Sequence, residues 1–257
     1  MDEVAALMPV LRKIPRSWLR SLYYRSVAGS RWHHVLRSDK TVATHETAAF
    51  WNGELSGRMS TPNVNGRISN ALRDMTSAVL IRQCGPTPRA VLDLGCGFGT
   101  LAAALADNGL RRYVGVDLSD YVIDRASRES ATSPLAKQCD LTFRHSDLRE
   151  FTAETDDVFD VIVFNEVLKY VDVPEAVEQV MRYRRWLAAD GVFCVNINDD
   201  PKSHAIFRAL NKRLEWVYGT VYQQRPEGPK FRVTPSRSTP AYLTGLFRAR
   251  TTPGCRP

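Results

Sequence analysis

Between Ala90 and Ile197 the chain alternates short apolar runs with longer stretches of helical character. The apolar runs are Ala90–Leu94, Tyr113–Val116, Leu141–His145, Val158–Phe164 and Val192–Ile197, and each reads as a strand. Helices are predicted near Leu101–Asp107, Tyr121–Ser130, Pro174–Ala188 and His204–Leu214. Pro174 falls in a first turn, where a missing N–H is tolerated. Strands that alternate with helices predict an α/β fold with a mainly parallel sheet covered on both faces. After Leu214 the pattern changes to a hairpin, Trp216–Gln223 and Lys230–Thr234, joined by Arg225-Pro226-Glu227-Gly228-Pro229. Such a hairpin adds antiparallel edge character. From Ser236 to Pro257 the sequence reads as a loosely ordered tail.

Upstream of Ala90 the strand–helix repeat is absent. Leu11, Ile14, Trp18, Leu19 and Leu22 recur at helical spacing, and Thr47–Trp51 reads as another helical piece. Thr61-Pro62-Asn63 and Asn65-Gly66 are turn signals. A helix is predicted from Arg67 to about Gln83, ended by Gly85-Pro86-Thr87-Pro88.

Composition narrows the function classes. With 257 residues, 44% of them hydrophobic, the chain can bury an ordinary core. No run approaches the roughly 20 apolar residues that span a bilayer, and the N-terminus lacks a secretory pattern. Cys84, Cys96, Cys139, Cys194 and Cys255 are scattered without a C-x-x-C pair, as expected of reduced thiols in a cytoplasmic protein. The formal net charge is +7, and Arg12, Lys13, Arg16, Arg20, Arg25, Arg31 and Arg37 precede the next acid at Asp39. That patch has several readings: a solvated face, an oligomer contact, a peripheral membrane surface, or a surface for an acidic ligand.

The chemistry lies at strand ends. Val91-Leu92-Asp93-Leu94-Gly95-Cys96-Gly97-Phe98-Gly99 is a strand, a glycine-rich turn and a helix start. Glycines let a backbone approach a ligand closely, and open α/β sheets bind ligands beyond the carboxyl ends of their strands. Alone, this turn suits a dinucleotide enzyme equally well. Val114-Gly115-Val116-Asp117-Leu118-Ser119 then places an acid at the next strand end, where it can accept from both ribose hydroxyls of an adenosine. Ser146-Asp147-Leu148 follows the third strand, where Asp147 can accept from an adenine amino group. The acid ahead of Cys96 favours a cationic ammonium over a pyrophosphate as the neighbouring ligand group.

In these motifs, over roughly residues 88–235, the sequence resembles the class I S-adenosylmethionine-dependent methyltransferases. The resemblance implies a Rossmann-like, mostly parallel seven-stranded sheet with helices on both faces and a terminal hairpin. It implies a division into a helical N-terminal lid (1–66), a cofactor-binding core (67–235) and a C-terminal tail (236–257). It implies S-adenosylmethionine as cofactor and S-adenosylhomocysteine as product. The residues it assigns to that cofactor are Asp93, Gly95, Cys96, Gly97, Gly99, Asp117, Leu118, Ser146, Asp147, Leu148 and Asn165.

An activated sulfonium methyl leaves the protein mainly the task of aligning the acceptor, and a base is needed only for a poor nucleophile. The candidate bases are Glu166, Tyr170, His145 and Asp199. Each has a plainer reading: Glu166 as a helix cap or a holder of the methionine amine, Asp199 as an N-cap, His145 as a satisfied core histidine. Glu166 with Asp199 and Asp200 could alternatively hold Mg²⁺. Trp32, His33, His45 and Trp51, beside His34, Glu46 and Phe50, suit either an acceptor pocket or the packing of a lid.

The stretch Phe164-Asn165-Glu166-Val167-Leu168-Lys169-Tyr170 is similar to members acting on natural products and sugars. The expected acceptor is therefore a small molecule, methylated on oxygen. Alternatives are nitrogen or carbon methylation of an aromatic such as an indole, RNA- or protein-directed methylation through the basic N-terminal segment, and a non-catalytic cofactor binder. Nucleic acid is disfavoured, since the fourth strand does not end in an N-P-P-Y type sequence and no separate nucleic-acid module is visible.

Overall fold

The computed structural model describes residues 49, 51–53, 64–198, 201–219 and 242–250. A long helix, α1 (Val64–Cys84), precedes the first strand. Then come β1 (Ala90–Leu94), α2 (Thr100–Leu105), β2 (Arg112–Asp117), α3 (Asp120–Ala131) and β3 (Asp140–His145). They are followed by β4 (Phe159–Asn165), α4 (Val173–Arg182), β5 (Leu187–Asn198), α5 (Pro201–Arg213), β6 (Glu215–Gly219) and β7 (Tyr242–Arg248). The helix starts have local causes. Ser119 caps α3, its hydroxyl accepting from Val122 N at 3.4 Å. Asp172 caps α4, accepting from Glu175 N at 2.8 Å ahead of Pro174 in the first turn.

The seven strands form one sheet in the order β3-β2-β1-β4-β5-β7-β6. β1 to β5 are parallel, and β7 runs antiparallel between β5 and β6. The order reverses between β1 and β4, which opens a crevice at their carboxyl ends. Alternate strand residues feed two apolar layers. Leu92, Leu94, Ile162, Phe164, Phe193 and Val195 pack with Ala176 and Val180 of α4 and Ile206, Phe207 and Leu210 of α5. Val91, Tyr113, Val161, Val163, Val192 and Cys194 pack with Ala78, Leu80 and Ile81 of α1 and Leu101 and Leu105 of α2.

Three expectations are corrected. The helix predicted over Pro174–Ala188 stops at Arg182, and β5 begins already at Leu187, where it pairs with Phe159 before a register shift. The Asn65-Gly66 turn signal lies inside α1. The partner of β6 is β7, within the stretch read as a tail. Leu243, Leu246 and Phe247 are fully buried there, and the pairing of β7 with β5 is as extensive as a central strand's. Lys230–Thr234 and the remainder of the expected tail lie outside the described residues, as does the basic N-terminal segment. No helix among the described residues is long and apolar enough to cross a membrane.

Candidate functional site

The glycine turn hangs from the end of β2. Gly95 N and Cys96 N both donate to the Val116 carbonyl, at 2.7 and 3.0 Å. Gly95, Gly97 and Gly99 take φ values of 78°, 53° and 69°, the left-handed region in which a Cβ is strained. Their surroundings differ. A Cβ on Gly97 would meet nothing within 4 Å, whereas one on Gly99 would come within 2.5 Å of the Phe143 ring. Gly99 is thus bare for internal packing, and Gly97 presents backbone to open space. Asp117 closes the turn: its carboxylate accepts from Gly97 N and from Ser119 N, both at 2.9 Å. Burial raises the Asp117 pKa, and its backbone N–H donors oppose that rise.

Asp93 lies behind the turn and is 1% exposed. One oxygen accepts from the Tyr113 hydroxyl at 2.5 Å, and the other has no hydrogen-bond partner among the described residues. Burial pushes its pKa up to about 7 against the Tyr113 bond. A buried carboxylate oxygen with no donor is costly and calls for a ligand or water to complete it. At the third strand, Asp147 is held by Arg149, which donates through its backbone N at 2.8 Å, Nε at 3.0 Å and Nη2 at 2.5 Å. Leu148 offers its carbonyl to the Tyr183 hydroxyl, and Ser146 N donates to the Asp117 carbonyl at 3.0 Å.

Beyond β4 the site is assembled from distant residues. The Asn165 side chain accepts from the Ser77 hydroxyl at 2.9 Å and donates to Asp74 at 3.3 Å. Asn196, at the same level on β5, donates to the Ser77 hydroxyl at 3.1 Å and the Arg73 carbonyl at 3.2 Å. Asp74 also receives Arg73 Nε at 3.0 Å and the Thr100 hydroxyl. Asp74, Arg73, Ser77, Thr100, Asn165 and Asn196 therefore dock α1 onto the ends of β4, β5 and α2. The Arg73 charge acts on Asp93 and Glu166 as well, and these acids help to raise its pKa against burial.

Glu166 has φ 60°, the one positive φ outside glycine among the described residues. Such strain persists where surrounding contacts over-determine it: its N–H donates to the Asn196 carbonyl at 2.6 Å, and its carboxylate is ion-paired with Lys169. The two side chains are only 13% and 14% exposed. The Lys169 ammonium also lies 5.2 Å from the Tyr170 ring centroid, and Lys202 donates to the Lys169 carbonyl at 2.9 Å. Trp51 packs edge-on against Tyr170, centroids 4.9 Å apart. Its neighbour Asn52 accepts from the Ser119 hydroxyl at 2.6 Å.

The structure thus groups Gly95, Cys96, Gly97, Asp117, Leu118 and Asp93 on one rim and Asn165, Glu166, Tyr170 and Trp51 on the other. It does not bring His145 to the second group. His145 is exposed on β3, its Nε2 3.0 Å from the Leu118 carbonyl, so it is no core histidine. Three strand spacings of about 4.8 Å each separate β3 from β4. Trp32, His33, His45, Asp199 and Asp200 lie outside the described residues. Of the Mg²⁺ alternative only Glu166 lies among the described residues, and its carboxylate is ion-paired with Lys169. Among the described residues no group of three or more His, Cys, Asp and Glu is arranged to hold a metal ion. Sequence reasoning missed Arg73, Asp74, Ser77, Thr100, Lys169 and Asn196. Polar residues at intervals of three to four on the inner face of α1 were the one signal for the first three.

An adenosine joined to an amino acid fits these residues. Gly97 leaves room for a close approach, the Asp117 carboxylate could accept from a ribose, the unsatisfied Asp93 oxygen suits an ammonium, and the Arg73 charge, paired with Asp74, lies near that end of the site. Residues 91–191 match a methyltransferase domain family. The chain is 30% identical to trans-aconitate 2-methyltransferase of Rhodococcus jostii over 66% of its length and 60% of that protein's. It is 32% identical to ubiquinone biosynthesis O-methyltransferase of Neisseria meningitidis over 47% of its length and 48% of that protein's. The chain therefore spans roughly half to three-fifths of these curated relatives. The fold is similar to that of the N-methyltransferase NodS from Bradyrhizobium japonicum, at 19% identity, a TM-score of 0.51, and coverage of 74% of this chain and 99% of that one. The seven-stranded sheet, its order reversal and the glycine turn agree with these likenesses: residues 91–191 match a methyltransferase domain, and the fold is the Rossmann-like one of methyltransferases.

Proposed function

We propose that this protein transfers the methyl group of S-adenosylmethionine to an oxygen atom of a small-molecule acceptor, leaving S-adenosylhomocysteine. The observation that carries the reading is the Asp117 carboxylate, fixed by Gly97 N and Ser119 N beside a glycine with open space in front of it. Bound there, the cofactor would supply a methyl group already activated on a sulfonium. Asp117 would hold the ribose, the segment around Ser146, Asp147 and Leu148 the adenine, and Asp93 with Arg73 the amino-acid end. Asn165 and Glu166, at the end of β4, would then stand on the rim where an acceptor could line up opposite the leaving sulfur. A hydroxyl acceptor forms a C–O bond as the S–C bond breaks and sheds one proton. The Glu166 carboxylate, paired with Lys169, would receive it, and Tyr170 beside it would help to orient the acceptor. The likeness to the Neisseria O-methyltransferase supports oxygen.

The test is transfer of labelled methyl from S-adenosylmethionine into a host small-molecule extract, followed by mass spectrometry with and without a chelator. The expected result is one labelled small molecule bearing the methyl on oxygen, formed equally in both. A cofactor-binding protein that labels no small molecule would move the reading to a polymer acceptor.

A further inference from the structure

Trp51 and Asn52 together touch both rims of the crevice. On the ribose side, Asn52 accepts from the Ser119 hydroxyl at 2.6 Å, two residues beyond Asp117, and Ser119 N in turn donates to Asp117. On the β4 side, the Trp51 ring meets Tyr170 at 4.9 Å with the planes inclined by 70°. Both rings are partly exposed. The Glu166–Lys169 ion pair makes the polar end of this ring pair, with the Lys169 ammonium against the Tyr170 ring. Two inclined rings favour a third flat ring, because aromatic quadrupoles prefer edge-to-face and offset stacking. An ion pair at one end suits a hydroxyl on that ring, which can donate to the carboxylate or accept from the ammonium.

We infer that Trp51 and Tyr170 form an acceptor subsite for a planar aromatic ring carrying a hydroxyl, and that Asn52 is a positioning residue tying this subsite to the ribose side of the cofactor site. The inference rests on the methyltransferase reading and narrows its acceptor to phenols. A cofactor that presses Asp117 and Ser119 into place steadies Asn52, and Asn52 steadies Trp51. Phenol binding is therefore tighter with the cofactor product in place than without it.

The experiment is calorimetric titration of the full chain with 2-naphthol, with and without saturating S-adenosylhomocysteine. Decahydro-2-naphthol, with the same hydroxyl and no flat ring, is the control. Binding of S-adenosylhomocysteine alone is measured first; its absence in the wild type overturns the cofactor site itself, separately from the subsite. Given that binding, 2-naphthol is expected to bind at least tenfold tighter than its saturated analogue. Trp51→Ala is expected to lose at least tenfold in 2-naphthol affinity with little change for S-adenosylhomocysteine, and Trp51→Phe to recover most of the loss. Asn52→Ala is expected to keep 2-naphthol binding but lose the tightening caused by S-adenosylhomocysteine. Equal binding of the two naphthols, no binding of either, or indifference to Trp51→Ala overturns the subsite. Full tightening in Asn52→Ala overturns the tether.

Discussion

The two rims of the crevice are built in different ways. On the β1–β2 side, the ligand-facing groups lie close together in the chain: Gly95 to Gly99 form one turn, and Asp117 reaches Gly97 and Ser119, 20 and two residues away. On the β4–β5 side, the contacts join residues far apart: Ser77 to Asn165 across 88 positions, Asn196 to Arg73 across 123, and Trp51 to Tyr170. The first rim depends on backbone conformation and a short motif. The second depends on one helix docking correctly on a finished sheet. A cofactor shared by a family can be held by the first kind of rim, while an acceptor that differs among its members is met by the second, where sequence is freer to vary.

The contrast can be broken at its strongest point by removing the motif acid. Asp117→Ala is expected to lower S-adenosylhomocysteine affinity by on the order of 100-fold, while the circular dichroism spectrum stays native; losing one partner of charged hydrogen bonds costs about 2–3 kcal/mol. Unchanged affinity by calorimetry would remove the ribose assignment. On the other rim, Asp74→Ala leaves Arg73 without its carboxylate and Thr100 and Asn165 without their acceptor. Thermal or urea unfolding should then show a loss of about 3–5 kcal/mol, with the Asp117 rim still intact in whatever fraction remains folded.

Two glycines sharpen the comparison within one turn. Gly99→Ala forces a methyl to 2.5 Å from Phe143 and should destabilise the fold by roughly 2–3 kcal/mol. Gly97→Ala adds a methyl in open space and should cost only about 1–2 kcal/mol of backbone strain. Its cofactor affinity should nevertheless fall at least tenfold. If the two variants show the same balance of stability and affinity, the separate roles given to these glycines are wrong.

A smaller effect comes from Asp93. Its pKa in the fold lies above the usual carboxylate value, at about 7, so the folded state binds a proton more readily than the unfolded chain. The stability contributed there is complete below the unfolded carboxyl's range and declines as pH rises toward about 7. Asp117, also raised, adds to the same slope. Melting temperatures of Asp93→Asn across pH 4 to 8 should be flatter than those of the parent protein. An identical profile would show that Asp93 does not carry the slope.

Much of this was legible before any coordinates. The strand–helix alternation and the glycine turn depend on local preferences, which act through neighbours in the chain. The positions of the acids after the strands were legible for the same reason, since each directly follows an apolar run in the chain. Legibility failed wherever a partner came from elsewhere. Arg73, Asp74 and Ser77 read as ordinary helix polarity, and only the docking of α1 aims them at β4 and β5. Glu166 and Lys169 are three residues apart, yet their pairing depends on the positive φ at Glu166, which no propensity for glutamate foretells. His145 shows the reverse error. A strand-end histidine looked suited to the chemistry, but the strand order puts it at the far edge of the sheet.

By itself, the sequence determined the α/β class, the glycine turn after the first strand and the acid at the end of the second, because each follows from short-range pattern and backbone geometry. The tertiary structure decided that β7 inserts between β5 and β6, that α1 supplies a buried polar cluster to the second rim, and that Trp51 and Asn52 reach both sides of the crevice. Those contacts depend on which surfaces the packed layers bring together, and no local preference encodes that.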